Sequence, residues 1–81
     1  MTKAHILETL KEEIARETGL SLAEIADDAT FFSLGLNSIS AVYILDTLEK
    51  KLKMPMNPMF FWDYPTVSLF AKHLASEINH E

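Results

Sequence analysis

Ser38 is the side chain of this sequence best suited to carry chemistry. It follows Gly35, Leu36 and Asn37 and precedes Ile39, a pattern that reads as the start of a helix. Gly35 permits a turn that a side chain would hinder. Asn37 is a preferred N-cap, because its side-chain oxygen can accept from an unpaired N–H of the first turn. Ser38 then falls at or next to the first helical position, with its hydroxyl at the electropositive end. An anion there is stabilised by free N–H groups and by the helix dipole, so a phosphate ester on Ser38 would be well sited. The same residues are also an ordinary way to begin a helix, with Ser38 a spare cap. The hexapeptide by itself leaves both readings open.

The rest of the sequence offers no competing catalytic set. His5, His73 and His80 lack metal-ligand spacing. No serine sits in G-x-S-x-G, and there is no glycine-rich phosphate loop. Glu12 and Glu13 are neighbours that diverge on a helix, so they form no acid/base pair, and Met54, Met56 and Met59 lack a metal context. These features argue against independent catalysis and against a metal site. A net charge of −5 argues against nucleic acid, whose binding rests on Lys and Arg neutralising phosphates. The sequence has no cysteine, which removes disulfides and thiolate metal sites and is compatible with the cytoplasm. No apolar run approaches the roughly 18 residues of a spanning helix, and the N-terminal residues do not form a signal peptide. The length of 81 residues predicts a single domain over 1–81, Met1 with the compact length favours a free-standing protein, and a monomer is expected.

The elements that must position Ser38 read as helices. Ile6, Leu7, Leu10 and Ile14 share a face of helix I over 3–18, with Thr2 as its cap, Gly19 as its terminator and charged residues, Glu13 among them, on a solvated surface. Residues 20–37 form a long connection with a capping box at Ser21 to Glu24. Leu20, Ile25, Phe31, Phe32 and Leu34 are its expected anchors, laying an ordered loop across the bundle. Helix II over 38–53 turns Ala41, Ile44, Leu45, Leu48 and Leu52 to the core. Ile39 and Tyr43 fall almost opposite, a pair that suggests a contact surface. Lys50, Lys51 and Lys53 read as helix-terminal charges. Pro55 ends helix II, and Asn57-Pro58 opens a short helix III over 58–62 containing Met59, Phe60, Phe61 and Trp62. Such a cluster is usually core, and part of it could line a cavity. Thr66 caps helix IV, whose apolar residues run from Val67 to Ile78 and which ends near Asn79. The fold class is all-α, a small four-helix bundle of three longer helices and one short one.

With Leu34-Gly35-Leu36-Asn37-Ser38-Ile39, helix II and Phe61-Trp62-Asp63-Tyr64-Pro65-Thr66-Val67 in view, the sequence resembles an acyl carrier protein over essentially its whole length. The family signature Gly-x-Asp-Ser-Leu/Ile reads here Gly35-Leu36-Asn37-Ser38-Ile39. The resemblance implies a non-catalytic carrier. A phosphopantetheinyl transferase would attach 4′-phosphopantetheine from coenzyme A to Ser38. The arm's thiol would then hold acyl groups as thioesters for partners such as an acyltransferase, a ketosynthase or an acyl ligase. It also implies that Leu36, Asn37, Ile39, Tyr43 and Trp62 are candidates for docking or for the rim of a pocket. Two departures are informative. Asn37 replaces the usual Asp, which implies altered charge contacts with the transferase and slower or dedicated modification. Residues 38–53 hold two acidic residues against three lysines, a net of +1, whereas fatty-acid carriers are strongly acidic there. With Tyr43 and Asp63-Tyr64-Pro65-Thr66, this looks like a polyketide-type carrier. The alternatives are a peptidyl or aminoacyl carrier, against which Leu36 in place of a second glycine argues, and an unmodified carrier-like adapter.

Overall fold

The structure, a computed structural model, describes residues 2–78. Four α-helices follow one another: α1 Lys3–Thr18, α2 Ser38–Leu52, α3 Phe60–Asp63 and α4 Val67–Ile78. A single 3₁₀ turn, Leu22–Glu24, interrupts the long first connection. Among the described residues there is no strand, only an isolated bridge between Thr30 and Thr66. The sequence end expected for helix IV, near Asn79, lies outside the described residues.

The core forms because three amphipathic faces converge. Ile6, Leu10 and Ile14 of α1 meet Val67, Phe70, Ala71 and Leu74 of α4, and α2 adds Ile44, Leu45, Leu48 and Leu52. α1 packs against both α2 and α4. Thr2 caps α1 through its Oγ1, which accepts from the His5 N–H at 3.1 Å. Gly19 ends it at φ 80°, the left-handed conformation that glycine adopts without penalty.

Glu13 departs from the sequence expectation. It is 3% exposed rather than solvated, and its carboxylate accepts from Lys51 Nζ of α2 at 2.6 Å and lies 3.5 Å from Arg16. Lys51 is therefore an inter-helix partner as well as a helix-terminal charge. Burial of a carboxylate is costly without such a partner.

The long connection is pinned to the segment that joins α3 to α4. Phe31 N–H donates to Pro65 O at 3.2 Å, Val67 N–H to Ala29 O at 3.0 Å and Ser68 N–H to Asp27 O at 2.7 Å. A Lys11–Asp27 ion pair ties the loop back to α1. Ile25 and Phe31 are buried anchors and Leu20 and Leu34 are partly buried, but Phe32 is not an anchor: it is 82% exposed. Phe31 and Phe32 are successive residues, and the bond from Phe31 to Pro65 turns the first of them inward.

Helix III is shifted from 58–62 to Phe60–Asp63. Asn57 does act as a cap, its Oδ1 accepting from Met59 N–H at 2.9 Å, but it closes a turn rather than a helical ladder. α2 ends at Leu52, with Lys53 left-handed at φ 55°.

Candidate functional site

The approach to Ser38 is built from a reversal at Gly35. Gly35 has φ 88°, and no atom lies within 4 Å of a Cβ placed there, so backbone conformation rather than crowding demands glycine. Its N–H donates to Phe32 O at 3.1 Å and the Leu36 N–H donates to Phe31 O at 3.2 Å. This compact turn buries Leu36 and delivers an extended Asn37 to the head of α2.

Asn37 is the N-cap. Its Oδ1 accepts from the Ile39 and Ser40 N–H groups, each at 2.9 Å, and from the Ser40 hydroxyl at 3.3 Å. Two first-turn donors are thus taken internally, so the electropositive end offers an anion fewer free N–H groups than the sequence suggests. Ser38 is the first residue of α2 and is exposed. Its hydroxyl makes no hydrogen bond among the described residues, which leaves it free to react.

Beside Ser38 lies a cavity of about 560 Å³ between the first loop, α2 and α3. Phe31, Leu36 and Leu45 form its buried side, and Ala41 and Val42 extend it along α2. Phe61 and Trp62 contribute from α3, and Thr30, Phe32, Pro58 and Pro65 complete the lining beside Asn37 and Ser38. α3 is held in place by aromatic packing on α4. Phe61 lies 4.9 Å from Phe70, and Tyr64 stacks on His73 with ring centroids 4.0 Å apart and planes 11° from parallel.

The sequence-selected residues divide into two groups. Leu36, Asn37, Ser38 and Trp62 come together around the cavity, Leu36 inside it and Trp62 69% exposed at its edge. Ile39 and Tyr43 are exposed on α2 and are not part of the lining. Sequence reasoning missed Val42, Phe32, Pro58 and Pro65 as cavity residues. Val42 had a usable signal, since it stands one helical turn after Ser38. The prolines and Phe32 belong to irregular segments, where no period assigns a face.

Comparisons with known proteins bear on this geometry. Residues 8–74 match the family model described as the phosphopantetheine attachment site. The non-reducing polyketide synthase ZEA1 of Gibberella zeae is 32% identical over 77 residues, which cover 95% of this chain and 4% of that protein. Polyketide synthase PksN of Bacillus subtilis is 34% identical over 73 residues, 90% of this chain and 1% of that protein. The chain thus spans only a small fraction of these curated relatives. Among solved structures, a free-standing peptidyl carrier protein from an uncharacterized Acinetobacter baumannii secondary metabolic pathway superposes with a TM-score of 0.90 at 34% identity, covering 95% of this chain and 96% of the other. The HMG-ACPI domain from the CurA module of Lyngbya majuscula gives a TM-score of 0.86 at 27% identity, covering 95% of this chain and 78% of the other.

Proposed function

This chain belongs to the phosphopantetheine-attachment family of carrier domains, and on that premise we propose that Ser38 is the attachment point of the arm, within one carrier unit over residues 1–81. The observation that carries this reading is the exposed, unbonded hydroxyl at the first position of α2, beside an apolar cavity. The surroundings fit a phosphodiester. Asn37 is a neutral cap, so no carboxylate stands directly before Ser38, and the N-terminal end of α2 favours negative charge.

In the modification, Ser38 Oγ forms a bond to the pantetheine-side phosphorus of coenzyme A. The bond from that phosphorus to the bridging oxygen breaks, adenosine 3′,5′-bisphosphate leaves, and the serine proton passes to a base of the transferase. When bound, the arm supplies a thiol that holds an acyl group as a thioester. The chain's own residues position and present, without catalysing. Asn37 fixes the first turn, Gly35 and Leu36 hold that turn against the bundle, and the exposed Ile39 and Tyr43 offer an apolar surface to the transferase and to synthase enzymes such as an acyltransferase, a ketosynthase or an acyl ligase.

Polyketide-type cargo is the reading that the named synthase relatives favour. One observation favours aminoacyl cargo instead, the close superposition on the peptidyl carrier. Charging of the modified protein by a malonyl-specific acyltransferase supports the first, and charging by an amino-acid-activating ligase supports the second.

The attachment itself is tested by intact mass after incubation with coenzyme A and a broad-specificity transferase. A gain of one phosphopantetheine on the parent and none on Ser38→Ala supports the assignment. The same gain on Ser38→Ala overturns it. Tyr43→Ala is expected to slow turnover by a partner enzyme, and unchanged turnover would sink the docking role.

A further inference from the structure

The lining of the cavity beside Ser38 is chemically selective. It contains no lysine, arginine, histidine or carboxylate. A cargo bearing its own carboxylate, such as malonyl, would lose water there and gain no counter-charge. Its polar members are Thr30, Asn37 and Ser38, and Asn37 Oδ1 is already occupied by the cap. The volume of about 560 Å³ falls in the range of small-molecule sites, ample for two fused rings.

The aromatic lining comes in two kinds. Phe31 and Phe61 meet edge to face at 4.6 Å, and both pack on Phe70, at 5.4 and 4.9 Å. They form a fixed inner wall. Phe32 and Trp62 line the same cavity but are largely exposed, and neither makes a ring–ring contact among the described residues. Large aromatic side chains are usually covered, and two left open beside a fixed aromatic wall offer unfilled stacking faces.

We infer that this cavity selects a neutral aromatic or flat conjugated acyl group over a saturated chain or a carboxylate-bearing one, with Phe32 and Trp62 as the selecting residues. The inference rests on the carrier reading above, since the cargo reaches the cavity on an arm at Ser38. A saturated chain of equal area gains the same apolar burial, so the preference comes from ring stacking, a factor of about 2 to 10.

The test loads the protein with naphthoyl, decanoyl or malonyl phosphopantetheine from the matching coenzyme A thioester and follows thioester cleavage by hydroxylamine. Each rate is divided into that of the corresponding free pantetheine thioester, which removes the intrinsic reactivity of the acyl group. The expected order of protection is naphthoyl first, decanoyl lower by about 2- to 10-fold, and malonyl near none. Phe32→Ala and Trp62→Ala change exposed side chains and should keep the parent's helical circular dichroism. They should lower naphthoyl protection more than decanoyl protection, because both cargos lose apolar burial and only the aromatic one also loses stacking. Decanoyl protection equal to or above that of naphthoyl overturns the inference, as does an equal effect of the variants on both cargos. Intact mass keeps the two levels apart. A mass gain that persists on Ser38→Ala overturns the Ser38 reading and this inference with it, whereas a full gain confined to the parent with the wrong order of protection overturns the cargo preference alone.

Discussion

The two sides of this bundle use apolar residues in opposite ways. Where α1 meets α4, Ile6, Leu10, Ile14, Phe70 and Leu74 are wholly buried. Around the head of α2 and along α3, Phe32, Ile39, Val42, Tyr43 and Trp62 stand in solvent. Hydrophobic residues make up 48% of the chain, and five of the large ones left exposed lie around the head of α2 and α3 rather than in the core. The first side supplies the stability that the second does without. A face that must receive partners or cargo has to stay unfilled, so its apolar surface contributes little to folding until something covers it.

The largest expected effect breaks the closed side. Phe70→Ala removes a ring that contacts Phe31, Phe60 and Phe61 and should cost about 3–5 kcal/mol in urea unfolding. An 81-residue domain has only about 4–12 kcal/mol to lose. Trp62→Ala, on the open side, should stay within about 0.5 kcal/mol of the parent. Comparable losses from the two would erase the distinction between the sides.

Next in size is the link between α1 and α2. Lys51→Ala leaves the buried Glu13 carboxylate with Arg16 at 3.5 Å as its remaining cation. The expected loss is about 1–3 kcal/mol by urea unfolding, below that of a fully buried pair because Lys51 is partly exposed. A loss within error of zero would show that Glu13 does not depend on α2.

Lys53→Gly should have the opposite sign. Lys53 ends α2 in the left-handed region, which glycine occupies without strain, so the variant should gain about 0.5–1 kcal/mol and melt higher. No gain would mean that the greater unfolded-state freedom of glycine offsets the relieved strain.

The smallest effect lies in the first connection. Glu24 Oε1 accepts from the Ser21 N–H at 3.0 Å, and hydrogen bonds from Ser21 hold its carboxyl below the ordinary glutamate value of 4.5. Because the folded value is the lower one, the contribution to stability is present above the unfolded value and is lost as pH falls through the folded one. Carboxyl NMR titration should give a midpoint below 4.5, and Glu24→Gln should flatten the acid limb of a stability–pH curve slightly. A midpoint at or above 4.5 would remove the capping box from the account.

What could be read from the sequence followed from periodicity. The core faces of α1, α2 and α4 repeat at helical spacing, and Thr2, Asn37 and Thr66 each precede such a run with a side chain able to cap it. The site was legible in part for the same reason, since Gly35 and Asn37 mark where α2 begins and hence where Ser38 stands. Phe32 was misassigned because two adjacent aromatics in a loop carry no period, and only the distant Pro65 carbonyl decides which turns inward. Glu13 was misassigned because its partner Lys51 lies 38 residues away on another helix. α3 begins two residues later than expected because Asn57-Pro58 is equally suited to open a turn, and the turn formed.

The separation of the two sides is tested most directly by amide chemical-shift mapping of the protein before and after attachment of phosphopantetheine to Ser38. Shifts should concentrate over Gly35 to Val42 and at Phe61 and Trp62, with Ile6, Leu10, Ile14 and Leu74 unmoved. Changes of equal size in the α1–α4 core would contradict it.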